Sequence, residues 1–237
     1  MNKNKYLFGL IGLVIGFMLS FFITQSLNRS GAVTGAQPAV SGGGAQPGGP
    51  SQQAMMASVR ETLEKAKNNP NDFEAQVNAA RQFVQVNQVD KSVEYLKRAF
   101  EINPAEAGNL GIPPFIGQYY FQEKNYVESE KWFREALKSE KEKGPVYVEI
   151  GSTYILRNPP DPDSAITNLQ AALELDSKDG HALGHMVEAY LLKKNASEAE
   201  NILNRLKEAE PGNKRISLYQ NLLADLKAGK PVTIPGE

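Results

Sequence analysis

The feature that most constrains this chain is a recurrence of similar residues at a spacing of 34 positions. Tyr120 and Tyr154 are 34 residues apart, and so are Gly117 and Gly151. Each copy holds two amphipathic runs separated by a short polar break, as in YFQEKNYVESEKWFREAL. A period of this length is typical of stacked helix pairs, in which a unit buries its apolar face only against its neighbours. The sequence therefore predicts an all-α solenoid.

Four copies can be aligned between residues 73 and 213, and together they resemble the tetratricopeptide repeat (TPR), a 34-residue pair of helices A and B. The resemblance rests on recurring large and small residues at fixed repeat positions. In the first two copies these residues are Ala79, Ala80, Phe83, Ser92, Leu96, Ala99 and Pro104, then Ile116, Gly117, Tyr120, Ser129, Phe133 and Ala136. In the last two they are Ile150, Gly151, Tyr154, Ala165, Leu169 and Ala172, then Leu183, Met186, Tyr190, Ala199, Leu203 and Pro211.

Packing explains why such residues recur. Small residues such as Gly151 let helices A and B of one repeat approach closely, and large ones such as Tyr154 fill the space between neighbouring repeats. We therefore interpret Tyr120, Ser129 and Phe133 as scaffold. Polar caps predict helix starts at Asn125 and Asn195, each followed by an acid three residues on, and at Asp161 before a proline.

The segments around the repeats are predicted to be helical as well. Residues 54–72 form a leading helix, and residues 214–237 form a capping helix with a tail. Three residues are inserted between the first two repeats, around AEAGNLG. Because proline breaks a helix interior, Pro113 and Pro114 are expected at or before the first turn of helix A in the second repeat.

The N-terminal quarter has a different character. No residue from 6 to 28 is charged, and this run is long enough for a transmembrane helix, which needs about 20 apolar residues. Lys3 and Lys5 precede it and Arg29 follows, so the positive-inside rule predicts residues 1–5 in the cytoplasm. A cleaved signal peptide is the alternative, but its apolar region is usually shorter. The expected location is the inner (cytoplasmic) membrane, with a single pass and the repeats on the periplasmic or extracytoplasmic side.

Two further predictions concern this quarter. Gly12, Gly16 and Ser20 share one helix face at four-residue spacing, a pattern that allows two membrane helices to pair as a homodimer. Residues 29–53 consist almost entirely of Gly, Ala, Pro, Ser and Gln, a composition typical of a flexible linker.

Composition limits the possible chemistry. The net charge of −1 gives no support for a nucleic-acid surface, and the absence of cysteine excludes disulfides and thiol catalysis. His181, His185 and Glu188 share one helix face, so a metal site is an alternative interpretation. No arrangement of nucleophile, histidine and acid can be recognised, and no glycine-rich loop cradles a phosphate. The sequence therefore predicts neither an enzyme nor a cofactor.

The resemblance to TPR implies a different use for the polar residues of the A helices. In that family several A-helix positions face a concave groove that binds a protein or peptide. Carried over to this sequence, they are Asn78, Arg81, Gln85, Phe115, Gln118, Gln122, Glu149, Ser152, His181, His185 and Glu188. Glu130 and Lys131, on a B helix, are expected on the opposite, convex side.

The predicted function is a membrane-anchored scaffold that binds other proteins. The anchor, linker, short repeat array and terminal helix are similar to TPR factors of c-type cytochrome maturation. An adaptor of another envelope complex, such as a secretion or pilus machine, is the alternative, and metal binding through His181 and His185 is a third possibility.

Overall fold

The computed structural model describes residues 52–139 and 143–234, and all of the regular structure within these ranges is helical. The eleven helices described there are α1 (Gln52–Asn68), α2 (Phe73–Gln85), α3 (Val89–Ile102), α4 (Pro104–Asn109), α5 (Ile112–Gln122), α6 (Tyr126–Ala136), α7 (Lys143–Leu156), α8 (Pro162–Leu175), α9 (Gly180–Leu192), α10 (Ala196–Ala209) and α11 (Ile216–Lys227).

The predicted caps are present where helices begin. The side chain of Asn125 accepts a hydrogen bond from the backbone N–H of Glu128, and Asn195 accepts one from Glu198 in the same way. Asp161 caps α8 through the N–H of Ser164, with proline in the first turn. Each cap satisfies a backbone donor that the helix itself leaves without a partner.

The chain divides into two compact units, residues 1–69 and residues 70–237. In the second unit the helices pack as consecutive A–B pairs, namely α2 with α3, α5 with α6, α7 with α8 and α9 with α10. Helix α11 packs on α10 and α9, as the A helix of a further repeat would. The array is therefore a TPR-like solenoid.

Small residues mark the places where paired helices touch. A Cβ added to Gly117 would lie 2.8 Å from Cδ1 of Phe133, so only glycine fits without displacing the ring. Ser129 is fully buried, and its hydroxyl donates a hydrogen bond of 2.9 Å to the carbonyl of Gly117. The prediction that Ser129 and Phe133 are scaffold residues is confirmed by these contacts.

The insertion between the first two repeats forms its own short helix, α4, which packs between α3 and α5. Pro113 and Pro114 lie in the first turn of α5, as expected from their lack of a backbone donor. Among the described helices, α7 packs against α9 and α9 against α11, but neither α2 and α5 nor α5 and α7 make a comparable contact. The A helices are therefore more closely packed in the second half of the array.

Helix α1 belongs to the first unit, whose residues 1–51 lie outside the described part of the chain. The predicted transmembrane helix 6–28 and linker 29–53 fall almost wholly there, as do Gly12, Gly16 and Ser20. Within residues 52–139 and 143–234, no helix combines the length and the apolar character that crossing a membrane requires.

Candidate functional site

The A helices carry equivalent faces in all four repeats. Asn78, Arg81 and Gln85 lie at i, i+3 and i+7 on α2, so they share one side of that helix. The same spacing recurs on the three later A helices. The equivalent residues are Phe115, Gln118 and Gln122 on α5, Glu149, Ser152 and Leu156 on α7, and His185, Glu188 and Leu192 on α9.

In the first two repeats this face is accessible. Asn78, Gln85 and Gln122 are exposed, and Arg81, Phe115 and Gln118 are partly buried. The structure thus leaves six of the predicted groove residues available to a partner. We call these six residues on α2 and α5 the open face.

Arg81 is the only charged member of the open face. Its guanidinium donates a hydrogen bond of 3.1 Å to Oδ1 of Asn78, and within residues 52–139 and 143–234 no carboxylate pairs with it. Partial burial lowers the pKa of Arg81 from its ordinary value because the charged form is less well hydrated. An arginine held in this way favours a negatively charged group on a binding partner.

Val84 and Phe121 lie next to the open face, although the sequence interpretation did not include them. They follow Arg81 and Gln118 by three residues each, and both are partly buried apolar side chains. Their spacing of three residues from Arg81 and Gln118 is the sequence pattern from which they could have been predicted. They give the polar face an apolar component, which an extended or helical segment of a partner could contact.

In the last two repeats, three of the six equivalent positions are closed, while Glu149, Leu156 and Leu192 are partly buried. Ser152, His185 and Glu188 expose 2%, 6% and 2% of their surface, respectively, so they do not line an open groove. The residues three positions after Ser152 and Glu188, which are Ile155 and Leu191, are buried as well. The groove prediction is therefore wrong for Ser152, His185 and Glu188. Glu149 is partly buried and His181 is exposed.

A polar network accounts for the burial of Glu188. One carboxylate oxygen accepts hydrogen bonds from Arg215 and from the hydroxyl of Tyr219, the latter at 3.0 Å. The other oxygen lies 2.8 Å from Nδ1 of His185. Arg215 immediately precedes α11 and Tyr219 lies within it, so Glu188 binds the capping helix to α9. Sequence periodicity could not show this, because the partners lie about 30 residues away along the chain.

The metal interpretation of the two histidines finds no supporting geometry. His185 is engaged with Glu188 inside the helix packing, whereas His181 is exposed on the first turn of α9. In the described ranges, no group of three or more His, Asp and Glu residues could hold a metal ion.

Glu130 also differs from its predicted place on an open convex surface. It is partly buried, and its carboxylate accepts hydrogen bonds from Arg134, Arg157 and the hydroxyl of Tyr154. Burial alone would raise the pKa of Glu130, but these hydrogen bonds outweigh it and lower that pKa. Glu130 therefore stabilises the contact between α6 and α7, while Lys131 is exposed as expected.

Comparison with known families gives one match. Residues 161–226, which contain α8 to α10 and all but the last residue of α11, match the model of the tetratricopeptide repeat family. No curated protein matches the sequence of the chain.

Several solved structures share the fold. YrrB, described as a TPR protein with an unusual peptide-binding site, is 18% identical with a TM-score of 0.51, over 72% of this chain and 94% of its own. MamA is 17% identical with a TM-score of 0.53, over 68% of this chain and 91% of its own. A TPR protein from Parabacteroides merdae is 18% identical with a TM-score of 0.58, over 66% of this chain and 60% of its own. These likenesses establish the all-helical TPR fold.

Proposed function

We propose that this protein is a scaffold that binds a polypeptide partner on the open face of its first two repeats. The observation that carries the proposal is the contrast between equivalent positions of the array. Arg81 and Gln118 are accessible on α2 and α5, whereas Ser152 and Glu188 are buried on α7 and α9. Scaffold packing requires the buried pair, but it does not require the accessible pair.

The chemistry of the open face favours a polar partner segment with at least one acidic group. Asn78, Gln85, Gln118 and Gln122 supply amides that can donate to and accept from a backbone. Arg81 supplies a cation without a carboxylate partner among the described residues. Phe115 adds a partly buried aromatic surface. A peptide in extended or helical conformation with a carboxylate near Arg81 satisfies all three features.

The proposal includes a membrane anchor. The uncharged run 6–28, with Lys3 and Lys5 before it, supports a single-pass helix with the repeats on the extracytoplasmic side. Gly12, Gly16 and Ser20 support pairing of two such helices. The linker 29–53 would then hold the scaffold near the membrane while leaving it free to reorient.

Two pathways are proposed for the partner. The resemblance noted above suggests assembly of c-type cytochromes, in which an apocytochrome segment would be the ligand. An adaptor in another envelope complex, such as a secretion or pilus machine, is the second candidate. Both need the same open face, so the identity of a protein captured on that face distinguishes them.

Site-specific photocrosslinking tests the proposal directly. A photoreactive amino acid replaces Gln85 or Gln122 in the full chain, and the cells are irradiated before membranes are isolated. Both positions are exposed on the open face, so each is expected to give the same discrete adduct. Mass spectrometry of that adduct identifies the partner.

Exposed positions on B helices serve as the matched control. The same photoreactive residue at Lys131 on α6 or Asn204 on α10 is expected to give no adduct of that mass. Adducts from Lys131 and Asn204 but none from Gln85 and Gln122 would show that the partner binds the opposite side of the array.

A further inference from the structure

The segment that follows the last helix has an alternating pattern of burial. Pro231 and Thr233 are exposed, whereas Val232 and Ile234 are partly buried. Alternation with a period of two is the pattern of an extended chain with one side against a surface. The alternation therefore indicates an extended segment that lies with one side against the repeat array.

The surface beneath this segment is apolar. Val232 and Ile234 pack against the large buried cluster that helices α6 to α11 share. The A helices of this half of the array are the closely packed ones, and Ser152, His185 and Glu188 on them are buried. This contact is separate from the open face on α2 and α5.

Side chains alone hold the segment in place. From Pro231 to Ile234 no hydrogen bond joins the chain to the rest of the described residues. By contrast, two hydrogen bonds from Lys230 to Asp225 hold the turn before the segment. The backbone N–H of Lys230 donates to the carbonyl of Asp225, and the Lys230 ammonium lies 2.9 Å from the Asp225 carboxylate. Gly229, at φ +72°, ends α11 in the left-handed conformation that glycine adopts at little cost.

The segment is therefore held in the way that a bound peptide is held, through side-chain contacts and without hydrogen bonds among the described residues. The turn at Gly229 and Lys230 is held by hydrogen bonds, whereas Pro231–Ile234 is held only by the side chains of Val232 and Ile234. We propose that Pro231–Ile234 is an intramolecular ligand, which covers an apolar surface of the second half of the array and can detach from it. The surface binds extended segments with apolar side chains at alternating positions, and a partner segment of that pattern competes with the chain's own.

The covering segment has an advantage over a free peptide because it is tethered. Short tethers give effective concentrations in the millimolar range, so a weak contact is still occupied most of the time. If the surface is covered about 90% of the time, a competing peptide binds about tenfold more weakly to the intact chain. Deleting the segment should remove this difference.

The test uses the full chain, purified in detergent, and a full chain that lacks residues 231–237. The probe is a fluorescein-labelled peptide with the sequence of residues 229–237, and fluorescence anisotropy measures its binding. The truncated chain is expected to bind the peptide at least about tenfold more tightly than the intact chain, by the occupancy argument above.

Two variant peptides test the alternation. A peptide with Val232→Asp and Ile234→Asp is expected to lose binding to the truncated chain, whereas a peptide with Thr233→Asp is expected to keep it. Thr233 is the matched control because it is exposed, whereas Val232 and Ile234 are partly buried.

Three outcomes would overturn the inference. The first is an absence of measurable peptide binding to the truncated chain, and the second is equal binding to the two chains. The third is loss of the helical circular dichroism signal on truncation, because the segment would then be a fixed part of the core. None of these outcomes bears on the open face of the first two repeats.

Discussion

Gly151 on α7 and Leu169 on α8 touch so closely that a Cβ added to Gly151 would lie 2.6 Å from Cγ of Leu169. Both residues are buried, and they join helix A to helix B within the third repeat. The contact shows how a recurring glycine determines the distance between two helices. It also makes the register of the repeat directly testable.

Replacing Gly151 with leucine should therefore destabilise the protein. Overpacking of a tight core typically costs about 1–3 kcal/mol. The measurement is the free energy of unfolding of the full chain, obtained from urea denaturation followed by circular dichroism. Gly212→Ala is the control, because no atom lies within 4 Å of a Cβ added there. Equal stabilities of the Gly151→Leu and Gly212→Ala chains would contradict the observed packing of α7 on α8.

Glu188 is expected to stabilise the fold and not to bind a partner. Glu188→Ala removes a buried acceptor that holds Arg215 and Tyr219, and each hydrogen bond to a charged group contributes about 1.5–3 kcal/mol. The urea concentration at which half of the Glu188→Ala chain is unfolded should be clearly lower than that of the parent chain. The control is Gln122→Ala, an exposed change that should stay within about 0.5 kcal/mol. If the Glu188→Ala chain is as stable as the Gln122→Ala chain, the network does not stabilise α9 and α11.

The lowered pKa of Glu130 predicts a dependence of stability on pH. A carboxyl group whose pKa is lower in the folded than in the unfolded protein stabilises the fold above its unfolded pKa, near 4.5. That contribution is lost as the pH falls through the lower, folded pKa. The difference in melting temperature between the parent chain and Glu130→Gln should thus be largest above about pH 5 and shrink below about pH 4.

The matched control for this titration is Glu208→Gln, since Glu208 is an exposed carboxylate on α10. Its effect on the melting temperature should be small across the same pH range. The melting temperatures of the parent chain and Glu130→Gln could instead differ by the same amount from about pH 3 to about pH 7, a range that brackets the ordinary carboxyl pKa. That outcome would argue against the network of Glu130, Tyr154 and Arg157.

The open face should be required for partner binding but not for folding. A chain with Arg81→Ala, Gln118→Ala and Gln122→Ala should keep its helical content, with a cost of about 0.5 kcal/mol per change. Its yield of the photocrosslinked adduct should fall by an order of magnitude, because a few central residues usually carry most of the binding energy.

A control chain carries a similar set of changes on B helices, namely Lys131→Ala, Gln170→Ala and Asn204→Ala. All three side chains are exposed, so the adduct yield should remain near that of the parent chain. An unchanged yield from the open-face variant would refute the proposed binding face.

The predicted membrane anchor can be tested by placing charge within it. Arginine at the centre of a membrane helix costs about 2.5–3.5 kcal/mol per residue. Val14→Arg with Met18→Arg should therefore move the chain from the carbonate-resistant membrane fraction to the supernatant. Gly42→Arg with Gly44→Arg adds the same charge to the linker and should leave the chain in the membrane fraction. A parent chain that carbonate itself extracts would disprove the anchor.

Sequence pattern alone predicted the helix pairs and several of their details. The caps at Asn125 and Asp161 were predictable because a side-chain cap involves residues only three positions apart. The contact of Gly117 with Phe133 was predictable because the 34-residue period repeats the same packing in each unit. Caps and within-repeat contacts depend on the spacing of residues along the chain, and this spacing can be read directly from the sequence.

The tertiary structure decided which A-helix faces remain accessible. His185 and Glu188 have the same spacing as Gln118 and its neighbours on the open face, and nothing local separates the two sets. Glu188 is buried because Tyr219 reaches it from a helix 31 residues further along the chain. Burial depends on what packs over a residue from a distance. The sequence therefore determined the repeated scaffold, and the packing of distant helices determined which of its equivalent faces can bind a partner.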